Sequence, residues 1–572
     1  MSELSFTGAR WVDVEAPPSV DAVASRTGLS RPVARVLAQR WGDSPADAWL
    51  NPSIEHLHDP AAMLHMDAAL DRLRFALRTG QAVRVVTDYD VDGTTSSLIL
   101  QAALRLVEPS VQLDYHIPSR FGEGYGFSVQ AARAAADEGI GLVVTADIGV
   151  RDHAAVAAAN ERDLDVLICD HHLPAGASVP DGAIVLCPPQ QGDTYPNRAL
   201  AACGVSLKLA QGLLADHPKR DRILRSMLKL AAIGTVADMV PIDTLENRAI
   251  VRLGLAELNR GPHTAGLTAL LRAAGLADRE VRTSDLGFRL GPRINAAGRV
   301  DDAGLVVQLL TARDPEQATA LAMRLEGMNT ARKDIQRKLV DASLRKLDDP
   351  DPFVLLSGPE AEGWHRGVVG IVAARVKDEV HRPVAVVSVQ GDRAVGSVRS
   401  VPSVHAVRAL ESADDLLIKY GGHPGAAGFT VPTEHLEALK ERLCAYVAAN
   451  AHLDALVPTH RVDGTLETAE VTPQLLEELG QIGPFGMGNP RPAFRLSNVS
   501  AEQVEIKGAG GSLLKFRVRN AGGRSVEALW WNRADLAQSV RNGPLHLLAH
   551  VGQNVWRGNR TMQLEIKDAA AG

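Results

Sequence analysis

Cysteine is scarce in this chain: four in 572 residues, at positions 169, 187, 203 and 444, with no Cys-x-x-Cys pair among them. That spacing argues against a disulfide framework and a thiolate zinc site, and marks the four as reduced core thiols. No run approaches the roughly 18 uninterrupted apolar residues of a membrane span, so no membrane role is expected. The opening Met-Ser-Glu-Leu-Ser-Phe has no basic segment followed by an apolar one, which predicts a cytoplasmic rather than exported protein. Internal repeats and low-complexity tracts are lacking too. Nor is there an excess of positive charge: 61 Lys and Arg face 68 Asp and Glu, and the net charge of -7 argues against wholesale polyanion binding. What remains is a globular composition, too long for one core and sufficient for roughly three or four domains of about 100–200 residues.

The charge is unevenly distributed. Between Glu505 and Arg560, Lys507, Lys515, Arg517, Arg519, Arg524, Arg533, Arg541, Arg557 and Arg560 face only Glu505, Glu527 and Asp535. A basic stripe for a phosphate backbone fits there beneath the acidic average, and so does an ordinary solvated surface.

The pattern predicts five segments. Residues 1–50 read as an amphipathic helical extension. Residues 51–265 alternate helices with short apolar strands at 83–87, 111–117, 142–146, 164–169 and 183–187, which predicts a mostly parallel sheet covered by helices. Residues 266–347 form a helical linker, with a long charged helix from about Pro315 to Lys346. Residues 348–452 are a second α/β domain, and residues 453–572, with five short alternating strands, predict a small antiparallel barrel.

Four acidic clusters lie at strand ends of the first domain, where open α/β sheets collect ligands. Asp88, Asp90 and Asp92 follow one strand at i, i+2 and i+4, a spacing that extended chain places on one face. Asp147 follows a second, Asp170-His171-His172 a third, and Asp238 precedes a proline break. One Asp at a strand end is more often a cap or turn residue; four clusters in one sheet favour a metal site. Asp90, Asp92, Asp147, His171 and Asp238 supply hard oxygens and one imidazole, a set suited to Mn²⁺ or Mg²⁺ rather than structural zinc. Two ions about 3.5–4 Å apart, bridged by a shared carboxylate, fit the count and point to phosphoester hydrolysis. Gly93 to Ser97 opens a helix beside them, where an anion could sit, although this alone is a weak signal.

These residues resemble the DHH phosphoesterase superfamily and, within it, the RecJ-type single-strand-specific exonucleases. The matching stretches are Asp88–Gly93, Ala146–Gly149, Asp170–His172, Gly234–Pro241, Gly291–Arg299, Gly421–Gly428 and Pro484–Pro490. The resemblance implies an α/β fold of two α/β domains, DHH catalytic and DHH-associated, joined by a long helix and followed by an OB-like nucleic-acid-binding barrel. It implies two divalent cations, Mn²⁺ preferred or Mg²⁺. Asp90 and Asp147 would hold one, Asp92, Asp147, His171 and Asp238 the other, and His172 would face the scissile phosphate. Superfamily relatives commonly carry a histidine four residues before the first metal-binding Asp, where this chain has Val86. Asp88 or water would then complete that ion, and Asp88 reads equally as structural.

The same resemblance implies substrate contacts at Gly422 and His423, and at Ser397 and Arg399 with Arg120 for a terminal phosphate. It extends them to Arg293, Asn295 and Arg299, for which an interdomain salt bridge is the alternative. On the barrel, Lys515, Phe516, Arg517, Trp531 and Trp556 are candidates to stack bases and track a backbone, although alternation lets only one of Trp530 and Trp531 face outward. The expected activity is removal of 5′-mononucleotides from the 5′ end of single-stranded DNA in repair and recombination, at a site between the two α/β domains. Single-strand-binding protein and a RecQ-type helicase are the expected partners. A small-substrate DHH hydrolase would not need the connecting helix and barrel, and a noncatalytic DNA-binding relative would have lost carboxylates that persist here.

Overall fold

The computed structural model describes residues 4–572 except 43–45, 120–121, 175, 177, 301–302, 348–350, 452–455, 521–522 and 557–558, and omits the side chains of Val300, Val555 and Trp556. The chain divides into two compact units. One comprises Glu15–Asn329 with Pro473–Pro492; the other comprises Met1–Val14, Thr330–Thr472 and Ala493–Gly572. No described helix is long and apolar enough to cross a membrane.

The first unit is built on a five-stranded sheet in the order Leu113–His116, Val83–Thr87, Leu142–Ala146, Asp165–Cys169, Ile184–Leu186. Every pairing in it is parallel. Its strands fall where the apolar runs predict them. Val83 and Val85 share a core with Leu73, Leu104 and Leu209, whereas Val86, Val143 and Ile168 share one with Ala132 and Val156. Helices therefore cover both faces, which is why Leu142–Ala146 is buried at every position and shows no polar alternation. Helix Met66–Thr79 shows the complementary pattern: Met66, Ala69, Leu70, Leu73, Ala76 and Leu77 form one buried stripe, and Gly80, at φ 69°, ends it.

The second unit contains a sheet in the order Lys419–His423, Ala426–Pro432, Arg393–Arg399, Val384–Gln390, Val354–Pro359. Only its last two strands pair in parallel. The barrel that follows has six strands, in the order Gly464–Thr465, Phe494–Lys507, Leu513–Arg519, Val526–Trp531, Asn559–Ala571, Leu545–Trp556, and Phe494–Lys507 also pairs with Leu545–Trp556.

Three features depart from the sequence-based expectation. The barrel is not wholly antiparallel: Gly464–Thr465 pairs in parallel with Phe494–Lys507, and Val526–Trp531 with Asn559–Ala571. Residues Arg10–Asp13 form a strand rather than part of a helical extension, paired in parallel with Thr459–Val462. Trp11 secures it, donating from Nε1 to Asp568 at 2.9 Å while Arg495 lies 5.6 Å from its ring. Helix begins only at Val20. Pro473–Pro492 also leaves the barrel unit and belongs to the first unit. There Arg248, fully buried, donates to the Trp49 carbonyl at 2.6 Å and to Gly483 and Gln481 at 2.5 and 3.3 Å, and lies 4.8 Å from the Trp41 ring. Arg252 adds bonds to Gln481 and Gly483 at 2.8 and 3.3 Å.

Hydrogen bonds from a charged donor are worth about 1.5–3 kcal/mol each, and buried carbonyls left unpaired add to the loss. Arg248→Ala is therefore expected to destabilise its unit by at least about 3 kcal/mol, and Arg252→Ala by less. Denaturant unfolding of both variants checks this; equal stability of Arg248→Ala and the parent would contradict it.

Candidate metal centre

Each acidic residue of the first sheet is placed by local chemistry. Asp90 caps helix Val91–Val107, its Oδ1 accepting from the backbone N–H groups of Asp92 at 2.8 Å and Gly93 at 3.1 Å. Gly93 is required by close approach, since a Cβ there would lie 2.4 Å from the Asp88 carbonyl oxygen. Asp92 is fully buried, and its two carboxylate oxygens accept from Ala202 N at 2.7 Å and Cys203 N at 2.9 Å, the first residues of helix Ala202–Leu213. A helix N-terminus presents donors and a positive dipole end to that charge. Asp147 leaves its strand at φ 65°, a left-handed conformation that aspartate tolerates better than most residues. Asp238 ends helix Arg220–Ala237 and is followed by Met239 at φ 61°.

The tripeptide Asp170–His172 is organised by its carboxylate. Asp170 Oδ1 accepts from His171 N at 2.7 Å, His172 N at 3.1 Å and His172 Nδ1 at 2.7 Å, and Oδ2 accepts from Val150 N at 3.1 Å. His171 Nε2 makes no hydrogen bond but lies 3.2 Å from Asp147, 3.6 Å from Asp238 and 3.9 Å from Asp92. Three groups bring their ligand atoms within 4.8 Å of one another: Asp88, Asp90 and Asp147; Asp92, His171 and Asp238; and Asp147, His171 and His172. Asp147 and His171 each belong to two. Val86, in place of a histidine, is buried in the sheet core, while Asp88 stands with Asp90 and Asp147.

The electrostatics are those of a site built for cations. Burial, then the charges of neighbouring carboxylates, holds Asp147 and Asp238 well above the usual carboxylate range. Burial also raises Asp92, against the pull of His171. Asp170 behaves oppositely: burial would raise it, but its hydrogen bond from His172 and the two imidazoles bring it down to about 2. Burial lowers His171. It would lower His172 as well, but the bond to Asp170 outweighs it and the net shift is upward. The two imidazoles are thus pushed in opposite directions, His171 toward the neutral form a metal ligand needs and His172 toward the protonated form.

The other sequence candidates are distributed over both units. Arg293 is occupied by an ion pair with Glu326, at 2.5 and 3.2 Å, and by carbonyls of Arg289 and Ala273. The salt bridge expected as the alternative is therefore present, with both partners in one unit rather than bridging two. Asn295 and Arg299 are half-buried on the same helix, Gly291–Val300, whose Gly298 packs against the Tyr89 carbonyl. Arg120 lies outside the described residues.

In the second unit, Arg399 donates to Ser397 Oγ at 2.8 Å and lies over Gly370, where a Cβ would come within 3.0 Å of both side chains. Arg399 pairs across the sheet with Ala426 and Ala426 with His423, so Ser397, Arg399 and exposed His423 share one face, with Gly422 alongside at φ 147°.

On the barrel, Phe516 is a correction. It is fully buried with Leu514 and Val518, because inward positions alternate with outward Lys515 and Arg517. Lys515 is ion-paired with Glu527 at 2.6 Å, and Arg517 donates to Ser525 Oγ at 2.9 Å. Trp531 is 57% exposed and Trp530 buried; the Trp556 side chain is outside the description.

Tyr125 is a site residue that sequence reasoning missed. Its hydroxyl lies 3.4 Å from both the Asp147 carbonyl and His172 Nε2. The one signal for it is an aromatic flanked by two glycines, Gly124 and Gly126.

In the metal-free protein, NMR titration is expected to find His172 protonating above the usual histidine value and His171 below it. Asp170→Asn should bring His172 down to or below that value; an unmoved His172 would contradict its control by Asp170.

Comparison with known proteins bears on the whole chain. The DHH family, N-terminal domain, matches residues 82–235, the DHHA1 domain 353–449, and the RecJ OB domain 462–568. The single-stranded-DNA-specific exonuclease RecJ of Bacillus subtilis (strain 168) is 33% identical over 568 residues, covering 98% of this chain and 71% of that one. The protein of the same name from Escherichia coli (strain K12) is 34% identical over 525 residues, 88% of this chain and 89% of the other. The crystal structure of RecJ in complex with Mn²⁺ from Thermus thermophilus aligns with a TM-score of 0.84 and 29% identity, over 98% of this chain and 80% of that chain. With a third of its residues shared along nearly its full length, and all three domains in order, this chain belongs to the RecJ family of single-stranded-DNA-specific exonucleases.

Proposed function

We propose that this protein is a 5′ to 3′ exonuclease of single-stranded DNA that releases 5′-mononucleotides by hydrolysis with two divalent cations, Mn²⁺ or Mg²⁺, in DNA repair and recombination. The observation that carries this reading is the set of ligand groups Asp88–Asp90–Asp147 and Asp92–His171–Asp238, linked through Asp147 and His171, in a chain that matches RecJ proteins over nearly its full length. Bound cations would supply a water acidified enough to attack phosphorus and a counter-charge for the phosphoryl oxygens. Asp90 and Asp147, with Asp88, would hold one; Asp92, Asp147, His171 and Asp238 would hold the other. Asp92 contributes while anchored at a helix N-terminus.

His172, whose proton Asp170 favours, presents Nε2 on the side of the Tyr125 hydroxyl and would donate a hydrogen bond to the scissile phosphate. Ser397 and Arg399 receive the terminal phosphate, with Gly422 and His423 on the same sheet. Arg399 is largely buried and has no carboxylate partner among the described residues, so a phosphate would restore the counter-charge it lacks. Asn295 and Arg299 contact the strand near the metal centre, and outward Trp531, with Lys515 and Arg517, forms the stacking surface of the barrel.

A genome supplies single strands only when duplex is unwound and kept apart. That requirement supports a RecQ-type helicase and a single-strand-binding protein as partners, and a cytoplasmic place of work beside the chromosome.

Asp147→Asn, which keeps a side chain tolerant of left-handed φ, is expected to reduce Mn²⁺-dependent release of mononucleotides by about 10³-fold or more. The sign of its stability effect is the reverse: Asp147 is raised in the folded state, so its charge destabilises the metal-free protein above the ordinary carboxylate pKa. The variant should therefore melt higher than the metal-free parent at neutral pH. Retained cleavage by the folded variant would contradict the assignment. Arg399→Ala is expected to raise KM for a 5′-phosphorylated strand by about tenfold or more and leave a 5′-hydroxyl strand little changed, the loss of one charge-assisted contact. Equal effects on both substrates would contradict the terminal-phosphate role.

A further inference from the structure

We propose that the loop Pro484–Pro490 is a positioning element of the metal centre, fixing Asp238 through the backbone that follows it. The inference rests on the two-cation reading above. Asp238 sits where a helix gives way to Met239, whose left-handed φ of 61° is uncommon for such a side chain and persists only if the surrounding structure holds it. The hold comes a few residues later. Asn247, fully buried, donates from Nδ2 to the Pro241 carbonyl at 2.8 Å, and Ile242 N donates to the Met487 carbonyl at 2.9 Å. Buried Ile242 packs on Gly486, where a Cβ would lie 2.9 Å from its Cδ1, and Gly488, at φ 75°, leaves room for the Asp243 carboxylate, 2.5 Å from where a Cβ would stand.

The loop is itself fixed from behind. Asn489, 0% exposed, donates to the Ile482 carbonyl at 3.1 Å and to Pro484 at 2.7 Å, while its Oδ1 accepts from Arg40, which also reaches the Pro490 carbonyl at 2.6 Å. Gly486 and Asn489 exchange backbone bonds of 2.9 and 3.2 Å. The Asp92 end of the same ligand group is held separately, by Ala202 and Cys203, and the Asp88–Asp90–Asp147 group makes none of these contacts. Loosening the loop therefore displaces Asp238 and leaves the other group in place.

The test is a Mn²⁺ titration of the metal-free, full-length protein, with free Mn²⁺ read by electron paramagnetic resonance. The parent is expected to bind two ions. Asn489→Ala is expected to weaken one of them by about tenfold and leave the other unchanged, the scale of outer hydrogen-bond partners at metal sites, with an unaltered circular dichroism spectrum. Gly488→Ala, which presses a Cβ against Asp243, should reproduce the selective loss and stands in if Asn489→Ala does not fold. Unchanged affinity for both ions in a folded variant, or equal weakening of both, overturns the inference while leaving the two-cation reading intact. A parent that binds fewer than two ions overturns both.

Discussion

Five carboxylates gathered in ligand groups linked through Asp147 and His171 repel one another, and the fold of the first unit is organised to hold them there. Unit charges 4 Å apart interact by about 4 kcal/mol at an effective dielectric of 20, so the arrangement persists only with a scaffold that resists spreading. The parallel sheet supplies it. Three adjacent strands, Val83–Thr87, Leu142–Ala146 and Asp165–Cys169, end side by side, and each delivers its acid or histidine from that edge. Helices buried on both faces keep the strands in register, and two helix termini take the remaining groups, Asp92 at an N-terminus and Asp238 at a C-terminal end.

Within that frame, small differences in environment divide the labour. Asp170 and Asp147 are one strand apart and both buried, yet one sits at about 2 and the other well above the carboxylate range. The difference lies in their partners. Asp170 accepts four hydrogen bonds, three of them involving the two histidines, whereas Asp147 faces other carboxylates. Asp170 is thus a permanent anion that orients His172, and Asp147 is the acid whose charge calls for a cation. The Asp-His-His tripeptide combines an anchor with two imidazoles shifted in opposite directions in three consecutive residues.

The metal centre is legible in the sequence because strand ends in a parallel sheet converge whatever the details of the loops, so Asp88, Asp147, Asp170 and their neighbours can be placed from apolar runs alone. The family resemblance then assigns the domains that follow. Contacts made across hundreds of residues leave no local trace. Nothing in Arg10–Asp13 announces a strand, since its partner is Thr459–Val462. Nothing in Pro473–Pro492 shows that it leaves the barrel for the carbonyl-binding arginines Arg248 and Arg252. Phe516 misleads for a different reason: among basic residues an aromatic suggests stacking, but the period of two that turns Lys515 and Arg517 outward turns Phe516 into the core. The ion pair of Arg293 with Glu326, 33 positions away, is likewise invisible at the level of motif.

That this constellation holds two cations around a shared Asp147 is tested most directly by crystals soaked in Mn²⁺ and measured at the manganese absorption edge. Two anomalous peaks about 3.5–4 Å apart are expected, both within bonding distance of the Asp147 carboxylate, one beside Asp88 and Asp90 and the other beside Asp92, His171 and Asp238. A single peak, or two peaks that do not share Asp147, would contradict it.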